Sequence, residues 1–353
     1  MALVTTIIPT FRRPRMLAGA IESALGQTFE DLEVHVYDDA SGDDTAAVVQ
    51  SISRRDSRVH YFCHPNHLGM MANFDYAMAH VKSPYFQIMS DDDLLLPDFF
   101  RIGVGELERN LAAMLFIGRL IIAQPDGYVF RVTGDMWKEG IEYPPDTFIR
   151  VAGGDPWTSM IFRREVLARV GTLDPEVGPA GDHDFEMRVA ALYPAIISNA
   201  LCAIFCIHPA SRSVGDPLTP LLSGIPRTIQ NVNRVIDLGV RDRLITSDAG
   251  QTMRSAMVAG LHQQLATMAL VAVCRGRRDV AIAAARFLEA DQCNGRTLLL
   301  RALANSSLLW PLVSTAYTLA RASCRVWRKY KYAELAMLVS NAFRHAGSPF
   351  STG

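Results

Sequence analysis

The first 90 residues alternate short runs of β-branched and aromatic residues with stretches whose apolar positions recur at helical spacing. Val4–Ile8, Glu33–Tyr37, Val59–Cys63 and Tyr85–Met89 read as strands. Between them, Pro14–Gln27 reads as a helix with apolar residues at Met16, Leu17, Ile21 and Leu25, and Thr45–Ser53 and Met71–Val81 read as two more. Strand and helix in turn at this spacing predict an α/β fold, a mostly parallel sheet with helices on both faces. Such sheets bind ligands beyond the carboxyl ends of their strands, so residues just after each strand carry the functional interest.

Farther along, Leu115–Ile122 and Trp157–Phe162 read as strands, Asp184–Leu192 as a helix and Ala203–Ile207 as a short strand. Past Asp216 the character changes. Pro217, Pro220 and Pro226 read as a linker, and Thr228–Leu238, Thr252–Cys274, Arg278–Glu289, Thr297–Ala304 and Tyr332–His345 as helices. The expected organisation is an α/β domain over residues 1–215 and a helical region over residues 216–353.

Composition narrows the picture. A chain of 353 residues can bury a large core, and a net charge of -1 supplies no basic field for nucleic acid. The six cysteines include no CxxC pair; Cys202 and Cys206 sit in an apolar run and read as buried, reduced thiols. No basic segment or cleavage site precedes Leu3–Ile8, which predicts no signal peptide. The most apolar late stretch, Leu308–Ala320, contains Pro311 and stops at Arg321, too short to span a bilayer. These features predict a cytoplasmic protein.

Acids gather in three places. Asp38-Asp39 ends a strand and turns through Ala40-Ser41-Gly42-Asp43-Asp44, where carboxylates serve either a ligand crevice or the turn and the next helix cap. Ser90-Asp91-Asp92-Asp93 follows the fourth strand. Three adjacent carboxylates repel one another unless a cation or solvent compensates, and a hard divalent ion shared with phosphate oxygens is one natural partner; a solvated acidic turn is the plainer reading. Gly181-Asp182-His183-Asp184 opens a helix. There Asp184 reads as a cap, and Asp182, expected just outside the helix, is either a second cap or a general base.

Taken in order, these strings make residues 4–215 similar to the inverting GT-A glycosyltransferases of family 2. Ile7-Ile8-Pro9-Thr10-Phe11-Arg12-Arg13-Pro14 resembles the family's "IIPTYNRP", and Leu25-Gly26-Gln27-Thr28-Phe29 its "LxQTY". Val36-Tyr37-Asp38-Asp39-Ala40-Ser41 resembles "VVDDGS", and Pro65-Asn66-His67-Leu68-Gly69 with Asn73 the "NxxGxxxN" stretch. Ser90–Pro97 is similar to "DSDDxxxP", which carries the DXD metal motif, with Ser90 in place of its first acid. Ile161–Arg164 and Val170–Asp174 resemble "xFRRxxLxxVGxFD"; Gly181–Phe185 stands where the family has "EDxDL", and His208–Ser213 resembles "HxxSxS".

The resemblance implies roles. Pro9, Thr10 and Phe11 would line a nucleoside pocket, Asp39 would accept from the imide N–H of uracil or thymine, and Asp38 would support the turn. Asn73 falls among the donor-binding positions. Asp92 would ligate Mn2+ or Mg2+, Asp91 would contact ribose or the metal, and His208 would reach the metal or diphosphate unless it is simply bonded within the sheet. Asp182 would deprotonate the acceptor hydroxyl. The donor would be a UDP- or dTDP-sugar, the acceptor a glycan or a lipid-linked glycan, and the setting bacterial surface polysaccharide. No QxxRW signature of processive synthases follows, since Gln251-Thr252-Met253-Arg254 leads to Ser255, so one sugar per encounter is expected.

Residues 216–353 lie outside the resemblance. Between Arg275 and Lys331 stand 11 Lys or Arg against three acids, interleaved with Trp310, Tyr317, Trp327 and Tyr330. That pattern suits peripheral contact with an anionic membrane surface, and equally a charged helical face or a homodimer. Two other functions compete. A nucleotidyltransferase would carry a glycine-rich loop after the first strand, and Pro9–Pro14 has no glycine. A catalytically inactive nucleotide-binding module would have lost its acids, yet Asp39, Asp92 and Asp182 are all present.

Overall fold

A computed structural model describes residues 2–134, 137–153, 157–209, 211, 218–274, 325, 328–329 and 331–345. The chain begins β1 (Val4–Thr10), α1 (Pro14–Leu25), β2 (Leu32–Asp38), α2 (Thr45–Ser53), β3 (Val59–Cys63), α3 (Met70–Ala79), β4 (Tyr85–Ile88). It continues β5 (Leu94–Leu95), α4 (Phe99–Arg109), β6 (Leu115–Ala123), β7 (Val129–Val132), β8 (Gly140–Glu142), α5 (Asp146–Val151), β9 (Met160–Arg163) and α6 (Leu167–Val170). Then come α7 (Gly181–Leu192), β10 (Ala195–Cys206), α8 (Leu218–Arg241), α9 (Ser247–Cys274) and, after a gap, α10 (Ala333–His345).

All ten strands join one sheet in the order β3-β2-β1-β4-β9-β6-β10-β5, with β7 beside β6 and β8 beside β10. β3, β2, β1, β4, β6 and β10 share one direction, and β9 and β5 run against it. The sheet is therefore mostly parallel, with helices on its faces. β1 is buried along its whole length because it lies inside the sheet. Its residues alternate between two cores. Val4 and Ile8 face α1 and α2, with Leu17, Ile21 and Val49; Ile7 faces the opposite layer, with Phe74, Phe86 and Phe185.

Several expected boundaries shift. Trp157–Ser159 is a 3-10 turn, and only Met160–Arg163 pairs as a strand. β10 is twice the expected strand, because its first half pairs with β6 and β8 in register. The expected linker is helical: α8 runs through Pro226, which stands on its exposed side, where a missing N–H costs least. Helices read at Arg278–Glu289 and Thr297–Ala304, and the apolar stretch Leu308–Ala320, lie outside the described residues. Among the described residues, no helix is long and apolar enough to cross a membrane.

Helix α8 does not stand apart from the sheet domain. Ile225, Val232, Val235 and Ile236 share one core with Phe185 and Val189 of α7, and Met253 and Met257 of α9 join the same cluster. The approach is closest at Gly224, where a Cβ would lie 1.9 Å from the carbonyl oxygen of Val177. Val177 belongs to the 3-10 turn Pro175–Ala180 that leads directly into α7.

Candidate active site

The order 3-2-1-4 makes the chain leave β1 for one side and return to the other at β4. Beyond the carboxyl end of β1 that reversal opens a crevice, the place where open α/β sheets take ligands. Thr10, the last residue of β1, pairs in register with Asp38, the last of β2. The Thr10 hydroxyl donates across the crevice to Asp91 Oδ2 at 2.7 Å.

The acids at Ser90–Asp93 form a turn closed by the Asp93 N–H on the Ser90 carbonyl; Asp91 and Asp92 converge on one guanidinium, and Asp93 points away from them. Arg13 Nη1 donates to Asp91 Oδ1 at 3.1 Å and to Asp92 Oδ2 at 2.9 Å. His208 Nε2 lies 3.0 Å from the same Asp92 oxygen. Asp93 turns inward, accepting from Thr158 Oγ1 at 2.6 Å and from the Cys206 N–H at 2.9 Å. The short strand β5 pairs with Leu94 and Leu95 on Ile204 and Ala203 of β10, which draws the acidic turn towards His208. Thus the repulsion between neighbouring carboxylates is met by separation and by one guanidinium. Burial, reinforced by the Asp92 charge, still pushes the Asp91 carboxyl up to about 6. Burial likewise pushes Asp93 well above the carboxylate range.

Arg13 reaches the acids because of its place in the chain. It stands immediately before α1 and makes no side-chain cap; Pro14 at the first helical position has no N–H to satisfy. The sequence signalled this residue only faintly. Three carboxylates demanded a cation, and a basic residue just past β1 was the protein's own candidate.

On the nucleoside side, Pro9 and Thr10 are buried, and the Phe11 ring meets the His67 ring at 4.2 Å with the Arg12 guanidinium 4.9 Å from its centre. Asp38 holds the following turn. Its Oδ1 accepts from the Ser41 N–H at 3.0 Å and the Ser41 hydroxyl at 2.5 Å, and its Oδ2 from the Tyr61 hydroxyl at 2.5 Å. Asp39 differs from an open acceptor. Only 1% exposed, it accepts from the Leu68 N–H at 2.6 Å and the Gly69 N–H at 2.9 Å, with His67 Nδ1 2.9 Å away. Gly69 presents its N–H from a φ of 92°, a conformation that suits glycine.

Asn73, expected to touch the donor, is instead a brace. Its amide donates to the Tyr37 carbonyl at 2.9 Å and its Oδ1 faces His64 Nε2 at 2.9 Å, tying the end of β2 to the loop ahead of α3. The pattern "NxxGxxxN" marks a loop that needs fastening as well as it marks a ligand contact.

Asp182 lies in the first turn of α7 rather than ahead of the helix. Its Oδ1 accepts from the His183 N–H at 2.8 Å, yet burial outweighs that bond and raises the carboxyl to about 6. Gly181, where the family has glutamate, has a local reason: a Cβ there would lie 2.9 Å from Met71 Sδ. Met71 opens α3, so the start of α7 sits beside the loop that holds Asp39. Asp184 points into the core and pairs with Arg188 Nε at 2.8 Å, both side chains almost fully buried.

Asp92 Oδ2 and His208 Nε2 face one another, and Asp92 keeps 11% of its side chain exposed, so the two residues fit Mn2+ as an oxygen and nitrogen pair. Among the described residues no third His, Cys or carboxylate completes that set. An ion there would need further ligands from outside these two side chains, such as phosphate oxygens or water.

A mostly parallel sheet that reverses at β1, with helices on its faces and an acidic turn beyond its strand ends, is the arrangement of a GT-A domain. Residues 5–171 match the family model described as Glycosyl transferase family 2, and this part of the chain belongs to that family. Among curated proteins, a GalNAc(5)-diNAcBac-PP-undecaprenol beta-1,3-glucosyltransferase of Campylobacter jejuni is 38% identical over 97 residues, 27% of this chain and 31% of its own. The chain spans less than two thirds of the length of curated relatives it matches, 31%, 43% and 60% in three of them. Among solved structures, residues 1–349 of S. aureus TarS superpose with a TM-score of 0.57 at 15% identity, covering 90% of this chain and 91% of that one. A mannosyltransferase of Pyrobaculum calidifontis, PcManGT, solved with GDP-Man and Mn2+, gives 0.51 at 19% identity over 93% and 88%. These structural likenesses establish the fold.

Proposed function

We propose that this protein transfers one sugar, with inversion, from a UDP- or dTDP-sugar to a hydroxyl of a glycan or lipid-linked acceptor in the synthesis of a surface polysaccharide. The observation that carries the reading is the meeting of Thr10, Arg13, Asp91, Asp92 and His208 at the switch point of the sheet. A fragment of TarS has been solved with UDP and with UDP-GlcNAc, and the Campylobacter relative is named for glucosyl transfer to a lipid-linked glycan; both support the donor and acceptor classes.

In this reading Pro9, Thr10 and Phe11 bed the nucleoside, and Asp39 exchanges one of its loop bonds for the imide N–H of the base. Asp91 reaches the ribose or the ion, and Asp92 with His208 holds Mn2+ or Mg2+. An ion held there would supply positive charge to offset that of the departing nucleoside diphosphate. Arg13 shares Asp92 with the ion and turns part of its charge to the diphosphate. Asp182 takes the proton of the acceptor hydroxyl. Residues 1–215 form the catalytic unit, and residues 216–353 an accessory helical region that brings the enzyme to the inner face of the membrane.

A thermal-shift screen of UDP, dTDP, GDP, CDP and ADP, each with and without Mn2+, tests the reading. The expected result is a metal-dependent rise with UDP or dTDP alone. No shift with any nucleotide favours an inactive module and sinks the proposal. Asp92→Ala is expected to weaken binding of the stabilising diphosphate in Mn2+ by at least about tenfold, as loss of an ion-holding group does. Calorimetry showing equal affinity with and without a chelator in wild type and variant would remove Asp92 from the ion site.

A further inference from the structure

A second group of metal-binding side chains lies on the edge of the sheet, away from the crevice acids. Glu33 and His35 stand two residues apart on β2 and so project from one face, and His60 on β3 is the registered neighbour of His35. His35 Nε2 lies 3.1 Å from Glu33 Oε2, and His60 Nε2 lies 4.0 Å from Glu33 Oε1. One donor atom from each of the three falls within 4.8 Å of the others. The two imidazoles meet edge to face, 5.0 Å between centres.

We infer that Glu33, His35 and His60 bind one transition-metal ion of the zinc class through two imidazole nitrogens and one carboxylate oxygen, with the fourth position open to solvent. Two imidazoles with one carboxylate is the donor set of open zinc sites, whereas magnesium and calcium favour sites richer in oxygen donors. At 4.0 Å, His60 stands beyond hydrogen-bond reach of Glu33. Metal bonds of about 2.0–2.2 Å in a tetrahedron set donors about 3.3 Å apart, so small side-chain rotations suffice for an ion to close that gap. All three residues are half-buried, so solvent reaches the ion.

The site rests on paired strands, where ligand positions are fixed by the ladder. β3 is the outer strand on this side and bonds only to β2 along the sheet order. An ion across Glu33, His35 and His60 therefore ties the outer strand down. That strand carries Tyr61 to Asp38 and leads into the loop that holds Asp39. The inference stands without the transferase reading, since none of the three residues belongs to the crevice.

The test is a titration of Co2+ into the full-length, tag-free, metal-stripped protein, followed by the visible absorption of four-coordinate cobalt and its displacement by Zn2+. The wild type and Asp92→Ala are expected to take up one equivalent with this spectrum. His60→Ala, at a half-buried position on the outer strand, and Glu33→Gln, which keeps the shape, should each bind at least about tenfold more weakly. Circular dichroism verifies folding of each. A wild type without the cobalt spectrum overturns the assignment, as does a spectrum and affinity unchanged in His60→Ala or Glu33→Gln.

Discussion

Asp182→Asn is expected to lower sugar transfer by a factor of about 100 to 10,000 while nucleotide affinity stays at the wild-type value. Asparagine keeps the size and the acceptor oxygen for the His183 N–H, so the start of α7 keeps its shape. What it loses is a group able to take a proton. The measurement is kcat at saturating donor, beside the diphosphate affinity by calorimetry. Comparable turnover in the variant would remove Asp182 as the base. The same residue sets a pH dependence. Its carboxyl is raised to about 6 by burial, and only the ionised form accepts a proton. The rate should therefore rise with pH through about 6 and level above it. A wild-type profile that is flat from pH 5 to 7 would contradict the assignment.

Arg188→Met is expected to cost about 3–5 kcal/mol of stability, the usual price of removing one partner of a buried ion pair. Arg188 donates to Asp184 Oδ2, to the Thr172 carbonyl at 2.8 Å and to the Val170 carbonyl. Without it, a carboxylate inside α7 and two backbone oxygens lose their donors together. For a chain of 353 residues that cost corresponds to a Tm lowered by roughly 4–7 °C. The double replacement Asp184→Leu with Arg188→Met should recover much of the loss, because an apolar pair leaves no charge stranded. Scanning calorimetry on both variants checks this. A single variant within about 1 °C of wild type would show that Arg188 carries little of the stability.

How legible was this molecule in its sequence? The repeating strand and helix units were, since period-2 and period-3.6 patterns are local: α2 and β3 run between the same residues that the pattern marks. β5 and β8 were not. Strands of two and three residues carry no periodicity and exist only because β10 lies beside them. The prolines before Thr228 read as a linker because proline disfavours helix interiors, but packing against α7 overrode that preference at Pro226. At the site, residue types and order placed Asp91, Asp92 and His208 together as candidates. The partner Arg13 and the engaged state of Asp39 depend on contacts 78 and 29 residues away, which spacing cannot express.

The contact of Gly224 with the Val177 carbonyl carries a consequence for the acceptor flank. The match to the family model ends at residue 171, and α8 lies beyond it. Through that contact, and through the core joining α8 to α7, a change well past the matched segment bears on the start of α7, where Asp182 stands. In the proposed reading, such changes would tune the acceptor flank while the donor side keeps its shape.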